Sequence, residues 1–107
     1  MAEAAIDESL RAVADPTRRS ILRLVRDAEL PAGEIATHFP SMSRPAVSQH
    51  LRVLADAGLV AVRPEGNRRL YRWRREGLSD AAAFVDEMWT DGLARLKALA
   101  EQEERTR

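Results

Sequence analysis

The stretch Arg44–Asp56 holds the polar side chains with the most evident chemistry in this sequence. In an α-helix each residue is rotated by about 100° from the one before, which gathers the apolar residues of this stretch on one side. The opposite side consists of Pro45, Ser48, Gln49, Arg52 and Asp56. Amide, hydroxyl and guanidinium groups of this kind have the size and hydrogen-bonding capacity to contact base edges in a DNA major groove. Taken alone, the pattern is also typical of an ordinary surface helix.

Individual side chains of this helix suit different parts of a duplex. The amide of Gln49 can pair with the edge of adenine. The guanidinium groups of Arg44 and Arg52 can contact guanine or a phosphate, and the hydroxyl of Ser48 can contact either. Ser43 and the backbone N–H groups of the first turn suit a phosphate, because the N-terminus of a helix carries partial positive charge. We therefore predict a nucleic-acid contact surface on this helix.

The charges of the chain are segregated along its length. Its 107 residues include 17 basic and 17 acidic side chains, so the formal net charge is zero. Residues 41–75 nevertheless carry a net charge of +6, whereas residues 1–40 carry −2 and residues 76–107 carry −4. A basic segment between acidic ends indicates a surface that binds a polyanion, although a solvated charged face would have the same composition.

A predicted β-hairpin over residues 59–74 belongs to this basic segment. Two short β-type runs flank Pro64–Asn67, a tetrapeptide with strong turn chemistry. Arg68 and Arg69 follow the turn directly, so we expect them at the tip of the hairpin, where they can reach phosphates or a flanking minor groove. Arginines on exposed edge strands also discourage aggregation, which is the alternative explanation of the pattern.

The periodicity of the whole chain predicts one domain over residues 1–107, with a mainly α-helical α+β fold. Apolar residues recur at helical spacing in five segments. The predicted helices are 6–14, 16–28, 32–39, 44–57 and 77–100. The third and fourth helices form a helix-turn-helix over 32–57, and the two-stranded hairpin at 59–74 completes a winged helix-turn-helix. The polar residues 101–107 are predicted to fray.

Two blocks of the sequence resemble a known family. Residues 14–22, Ala-Asp-Pro-Thr-Arg-Arg-Ser-Ile-Leu, look like the helix-2 signature of the arsenic-repressor (ArsR) type of winged-helix regulators. Residues 42–54, together with Ala57–Val60, resemble the recognition-helix block of that family, and the similarity extends over residues 6–75. The resemblance implies a homodimeric transcriptional repressor that binds a palindromic operator in double-stranded DNA, with its first and last helices at the dimer interface.

The composition of the terminal helices also favours a dimer. The last helix carries a stripe of large apolar side chains, and a small helix-turn-helix core offers little surface to cover them. Packing of the stripe on its own domain is the alternative. A twofold dimer would bury the stripe and would place two recognition helices about one DNA turn apart. The residues predicted at the interface are Ile6, Leu10, Val85, Met88, Trp89, Leu93 and Leu96.

The sequence departs from the metal-sensing members of this family. It contains no cysteine, which excludes disulfides and thiolate metal sites. The last helix has carboxylates but no histidine, and a site of carboxylates alone would be weak for soft ions. His38 lies on the third helix, and His50 flanks the apolar side of the fourth, where we expect it to contact the backbone or a phosphate. We therefore predict no metal site and no cofactor.

Other classes of function fit the sequence less well. The spacing of the residues supports no Ser-His-Asp arrangement, no glycine-rich phosphate loop and no paired carboxylate in an apolar pocket, the features that would favour an enzyme. A winged helix used for protein–protein interaction should carry an apolar recognition face, whereas the face predicted here carries Ser, Gln and Arg. A repressor released by a metal, a small ligand or a partner protein is the second alternative. The acidic start lacks a signal-peptide pattern, and no apolar run could span a bilayer, so we expect a cytoplasmic protein without membrane contact.

Overall fold

The computed structural model describes residues 2–106, apart from the side chains of Ala2 and Asp91, and shows helices before and after a small antiparallel sheet. The helices are α1 (Ala2–Val13), α2 (Pro16–Arg26), α3 (Ala32–Thr37), α4 (Arg44–Asp56) and α5 (Ser79–Arg105), and the strands are β1 (Leu30–Pro31), β2 (Val60–Glu65) and β3 (Arg68–Trp73). A 3₁₀ turn over Arg75–Leu78 joins β3 to α5. The predicted fold, mainly α-helical with a wing, is confirmed.

Local capping explains where α2 and α4 begin. The carboxylate of Asp15 accepts a hydrogen bond from the backbone N–H of Arg18 at 3.0 Å. The hydroxyl of Ser43 accepts one from the N–H of Ala46 at 3.2 Å. Each cap is followed by a proline in the first turn, where the missing N–H costs nothing because it would have no partner in the helix. Both starts agree with the sequence prediction.

A tight turn at Gly58 ends α4 and directs the chain into the wing. Gly58 has a φ of 75°, a left-handed conformation that glycine adopts without steric cost. The N–H of Leu59 donates to the carbonyl of Leu54 at 2.9 Å, and the N–H of Gly58 donates to that of Ala55 at 3.0 Å. This Schellman arrangement satisfies the last carbonyls of the helix. Leu59 is fully buried, so the turn also closes the core.

The predicted hairpin of β2 and β3 forms with a shorter turn, because Pro64 and Glu65 belong to β2, and β1 adds a third strand. The two-residue loop Gly66–Asn67 connects β2 to β3, and a glycine at its first position is typical of a type II′ turn. β1 pairs with the other edge of β3, so the strand order is β1-β3-β2. The predicted two-stranded wing is therefore part of a three-stranded sheet. In sequence Leu30–Pro31 indicates only a helix break, whereas here Leu30 pairs with Tyr71.

The core lies where α2, α3 and α4 meet the start of the sheet. Its large side chains with at most 1% exposure are Ile21, Val25, Ile35, Val47, Leu51, Leu54 and Leu59. Three of them come from α4 and lie on one side of that helix. Because this side is packed in the core, the opposite side of α4 faces away from the interior.

The terminal helices are longer than predicted. α1 begins at Ala2 rather than at residue 6, and α5 continues to Arg105, so residues 101–105 are helical rather than frayed; Arg107 lies outside the described residues. The added residues are mostly Ala, Glu and Gln. Such residues favour helix without adding apolar periodicity, so a prediction from periodicity misses them. Conversely, α2 and α3 end two residues earlier than predicted.

A close contact between two glycines joins the end of α4 to the base of α5. A Cβ placed on Gly77 would overlap the carbonyl oxygen of Gly58, so only glycine fits there. The carbonyl of Gly77 also accepts a hydrogen bond from the hydroxyl of Ser9 at 2.7 Å, and the Ser9 side chain is buried. α1, the turn before α5 and the end of α4 therefore meet at one point.

We predict that Gly77→Ala destabilises the fold, because the new methyl group would overlap backbone atoms that no side-chain rotation can move. Overpacking of this kind costs about 1–3 kcal/mol, and chemical denaturation measures the loss. Gly33→Ala is the matched control, since the atom nearest its new Cβ would be 3.6 Å away on a flexible arginine. We expect this control to be neutral or stabilising. A Gly77→Ala protein as stable as the wild type would contradict the prediction.

Candidate nucleic-acid interface

The outward side of α4 carries the polar residues predicted for it. The inward residues Val47, Leu51 and Leu54 are at most 1% exposed. The residues of the other side are all exposed to solvent, and they are Arg44, Pro45, Ser48, Gln49, Arg52 and Asp56. Within residues 2–106 none of these six takes part in a salt bridge. Their polar groups are therefore free to meet a ligand.

Several of these side chains line a groove between α4 and the wing. The groove has a volume of about 910 Å³. α4 contributes Arg44, Ser48 and Arg52 to its lining, and the tip of the hairpin contributes Arg68 and Arg69. Four arginines and a single carboxylate therefore share it. A groove of this charge attracts polyanions, and arginine forms paired hydrogen bonds with phosphate and with guanine.

The first turn of α4 offers less to a phosphate than the sequence suggests. The Oγ of Ser43 already accepts the N–H of Ala46, and Pro45 has no N–H to give. At most the N–H of Arg44 is available in this turn. Ser43, Pro45 and Gln49 do not line the groove beside the wing; they are exposed at the start and on the outer side of α4.

Two arginines of the hairpin region contact other parts of the domain. Arg63 contacts Glu29, with 2.6 Å between a guanidinium nitrogen and a carboxylate oxygen. This hydrogen-bonded contact holds the pKa of Glu29 below its ordinary value. Arg74 donates to the carbonyl of Gly58 at 3.1 Å, at the end of α4. Because Glu29 lies 34 residues from Arg63, the sequence gives no sign of this pairing.

The two arginines at the tip of the wing are different. Arg68 and Arg69 are exposed, as predicted. Arg68 reaches the carboxylate of Glu65 at 3.4 Å, an exposed contact of the kind that contributes little to stability. Arg69 has no salt-bridge partner among residues 2–106. Both guanidinium groups can therefore turn toward a ligand in the groove.

His50 does not lie with the other predicted contact residues. Its ring faces the start of α2, where Nδ1 lies 3.3 Å from a guanidinium nitrogen of Arg18 and 3.9 Å from a carboxylate oxygen of Asp15. Arginine has only donors, so Nδ1 accepts this hydrogen bond. The prediction that His50 contacts DNA therefore disagrees with its position, because residue 50 flanks the buried side of α4.

A broad apolar surface remains exposed on α1 and α5. Its large side chains are Leu10, Phe84, Val85, Met88, Trp89, Leu93, Leu96 and Leu99. They include every residue predicted at a dimer interface except Ile6, which is half-buried. Trp89 is 67% exposed and Leu96 is 64% exposed. Exposed apolar surfaces of this extent mark sites of interaction with another macromolecule.

The described residues contain no evident metal centre. Among the side chains that the structure describes, which do not include that of Asp91, no group of three or more His, Cys, Asp or Glu is arranged to hold a metal ion. His38 is exposed at the end of α3, and His50 is engaged with α2. In the same part of the chain, no helix is both long enough and apolar enough to cross a membrane.

Several known proteins are similar to this chain in sequence. A family model described as a helix-turn-helix domain matches residues 13–63, from the end of α1 into β2. The HTH-type transcriptional regulator Rv2034 of Mycobacterium tuberculosis is 42% identical over 91% of this chain and 90% of its own length. The transcriptional repressor SdpR of Bacillus subtilis is 37% identical over 70% of this chain and 82% of its own length.

Solved structures share the fold. A crystal structure of a possible transcriptional regulator for arsenical resistance has a TM-score of 0.71 and 45% identity, and the match covers 85% of this chain and 94% of that one. The homodimeric winged helix-turn-helix DNA-binding domain of Mb0332 from Mycobacterium bovis, a possible ArsR-family regulator, has a TM-score of 0.62 and 27% identity over 89% and 84% of the two chains. This chain belongs to the ArsR-type winged helix-turn-helix regulators. It is a DNA-binding transcriptional repressor and not an enzyme.

The start of α2 in this ArsR-type regulator depends on the charge of one carboxylate. The backbone N–H of Arg18 holds the pKa of Asp15 below its ordinary value, and the nearby His50 and the Arg18 guanidinium lower it further. A lowered pKa in the folded state means that the ionised form stabilises the fold above the pKa of the unfolded chain, about 3.9 for aspartate. This contribution disappears as the pH falls through the folded-state value.

We predict that Asp15→Ala lowers the free energy of unfolding at pH 7 by about 1 kcal/mol, because the N-cap is lost. The difference from the wild type should shrink as the pH falls below about 4, where the wild-type carboxylate takes up its proton. Urea denaturation at pH 7 and pH 3 measures both values. Asp15→Asn keeps the cap without the charge, and its stability relative to Asp15→Ala should not depend on pH. If the wild type exceeded Asp15→Ala in free energy of unfolding by the same amount at both pH values, this account would be contradicted.

Proposed function

We propose that two copies of this regulator pair through α1 and α5 and repress transcription by binding a palindromic operator. The observation that carries the proposal is the groove in which the exposed side of α4 and the wing tip bring four arginines together. A helix with such a face fits the major groove, and a basic hairpin beside it reaches the flanking backbone. Twofold pairing would present the same surface to both halves of a palindrome.

The uncovered apolar side chains of α1 and α5 support pairing with a second copy. Removal of apolar surface from water favours association, and α5 offers exposed apolar side chains along its length from Phe84 to Leu99. A related winged helix-turn-helix domain, that of Mb0332, is described as homodimeric. Ile6 and Leu10 would extend the interface from α5 onto α1.

We assign separate roles in DNA contact to the exposed residues. Gln49 and Ser48 read base edges, because their short amide and hydroxyl side chains project from the middle of α4. Arg44 and Arg52 contact guanine or phosphate from the same helix, and Ser43 and Pro45 approach the backbone at its start. Arg68 and Arg69 neutralise phosphates or enter the flanking minor groove from the wing tip. His50 is not assigned a DNA contact.

Control of the repressor proceeds without a thiolate metal site, since the sequence has no cysteine. Its effector is a small molecule or a partner protein, and release by a metal ion held without thiolates is the alternative. A repressor that acts on chromosomal DNA works in the cytoplasm. Selection of bound fragments from a random duplex pool, with and without added metal ions, tests the proposal as a whole. A palindromic consensus unaffected by metal is expected, and the absence of any consensus would overturn it.

We predict that Gln49→Ala and Arg68→Ala weaken binding in different ways. Loss of the Gln49 amide should cost about 1–3 kcal/mol at particular base pairs of the operator and nothing elsewhere. Loss of the Arg68 charge should weaken binding to every duplex and should reduce the slope of log K against log salt by about one unit. Titrations at several salt concentrations measure both effects. Arg26→Ala, an exposed arginine outside the groove, is the control. A uniform loss for Gln49→Ala would refute its role in base readout.

We predict that Trp89→Asp yields a monomer, because a charge at the centre of the apolar stripe opposes its burial against another copy. Binding to the operator should fall with it, while the isolated domain stays folded, since Trp89 is 67% exposed. Sedimentation measures the mass, and circular dichroism measures the fold. Ala94→Asp places the same charge on the opposite side of α5 and should remain dimeric. An undiminished dimer of Trp89→Asp would remove this residue from the interface.

A further inference from the structure

One guanidinium group, that of Arg18, connects three helices. Arg18 lies in the first turn of α2, and its side chain turns back toward α1. There its Nε donates to the carbonyl of Ala12 at 2.6 Å, and a terminal nitrogen donates to the carbonyl of Arg11 at 3.1 Å. Its other terminal nitrogen lies 3.3 Å from Nδ1 of His50 on α4. Asp15 completes this cluster, which we call the Arg18 junction.

The Arg18 junction supplies donors to the C-terminal end of α1. The carbonyls of Arg11 and Ala12 belong to the last turn of this helix, where carbonyls lack the usual donors of the following turn; that of Arg11 also accepts the backbone N–H of Ala14 at 3.3 Å. Nδ1 of His50 must accept in order to bond an arginine, so the junction holds the ring of His50 in one orientation. A guanidinium with its donors directed at three acceptors on two helices fixes distance and angle together.

Besides the junction, α1 meets α4 through the apolar core, to which α1 contributes Ala12 and α4 contributes Val47, Leu51 and Leu54. Apolar packing has no preferred direction, so the hydrogen bonds of the junction add a directional link between the two helices. A groove of about 370 Å³ lies between the two helices, lined by residues of both and by Arg18 itself. The second link between α1 and the end of α4 is the Ser9–Gly77–Gly58 contact described above. Polar and backbone contacts thus link the recognition helix to α1 near its middle, through His50 and Arg18, and at its end, where Gly58 meets Gly77, the acceptor of the Ser9 hydroxyl.

Two anchor points along a helix set its direction and not only its distance. We propose that Arg18 and His50 are positioning residues that set the angle of α4 relative to the layer formed by α1 and α5. Through that angle they determine which separation of operator half-sites the repressor accepts. This inference rests on the proposed function, since only a dimer held by α1 and α5 has a fixed spacing between its two recognition helices.

Half-site spacing is a sharp measure of this angle. Inserting or removing one base pair displaces one half-site along the duplex and rotates it by about a tenth of a turn. A rigidly held pair of recognition helices cannot follow this change without deforming the DNA, whereas a loosely held pair can. The experiment therefore compares binding to the selected operator with binding to versions whose centre is one base pair longer or shorter, and also to a single half-site.

We expect the wild type to prefer its own spacing by about tenfold or more. Arg18→Ala and His50→Leu should reduce this preference to about threefold or less while leaving binding to a single half-site within about threefold of the wild type. His50→Asn should retain the preference, because its amide oxygen can replace Nδ1 as acceptor. Arg23→Ala, which removes an exposed charge from the same helix, is the matched control.

The outcomes separate this inference from the proposed function. A wild type that binds no duplex would overturn the function. A wild type that binds its operator, with a spacing preference unchanged in both Arg18→Ala and His50→Leu, would overturn only the positioning role. If Arg18→Ala fails to fold, as judged by circular dichroism, the spacing preference of His50→Leu is compared with that of His50→Asn, and a preference equal in both would overturn the positioning role. A loss of stability in these variants with the spacing preference intact likewise assigns the junction a purely structural role and counts against the proposal.

Discussion

Burial of the apolar side of α4 is the constraint on which the rest of this molecule depends. Val47, Leu51 and Leu54 are almost completely removed from water, and each contributes about 1.5–3 kcal/mol by that removal. Once they are packed against α2 and α3, the helical repeat determines which residues of α4 face outward. The placement of Ser48 and Arg52 beside the wing is therefore a consequence of core packing, and any rotation of α4 would expose apolar side chains.

Arginine serves two different purposes in this chain, and only the structure separates them. Arg63 is paired with Glu29, and Arg18 binds carbonyls of α1, so both guanidinium groups are engaged within the domain. Arg52 and Arg69 have no salt-bridge partner in the described part of the chain. The segment of net charge +6 that the sequence shows therefore overstates the charge available to a ligand. Within that segment the charge of Arg63 is neutralised by Glu29, which lies far away in the sequence.

Local features of this protein could be predicted from sequence, and features that depend on distant partners could not. The starts of α2 and α4 follow from Asp15 and Ser43, whose caps act within three residues. The two faces of α4 follow from its own periodicity. The pairing of Leu30 with Tyr71 and the turn of His50 toward Arg18 join residues that are far apart in the chain. Neither periodicity nor charge patterning carries information about such contacts.

The contact points between α1 and α4 connect the surface that would hold a second copy to the surface that would hold DNA. Both are small: a hydroxyl and two glycines at one end of α4, and a guanidinium with an imidazole in its middle. The apolar core, to which both helices also contribute, packs without a preferred direction. Directional hydrogen bonds favour one angle. Because bound DNA favours one angle as well, anything that shifts the pairing of α1 and α5 would change affinity for the operator without touching a residue of the groove.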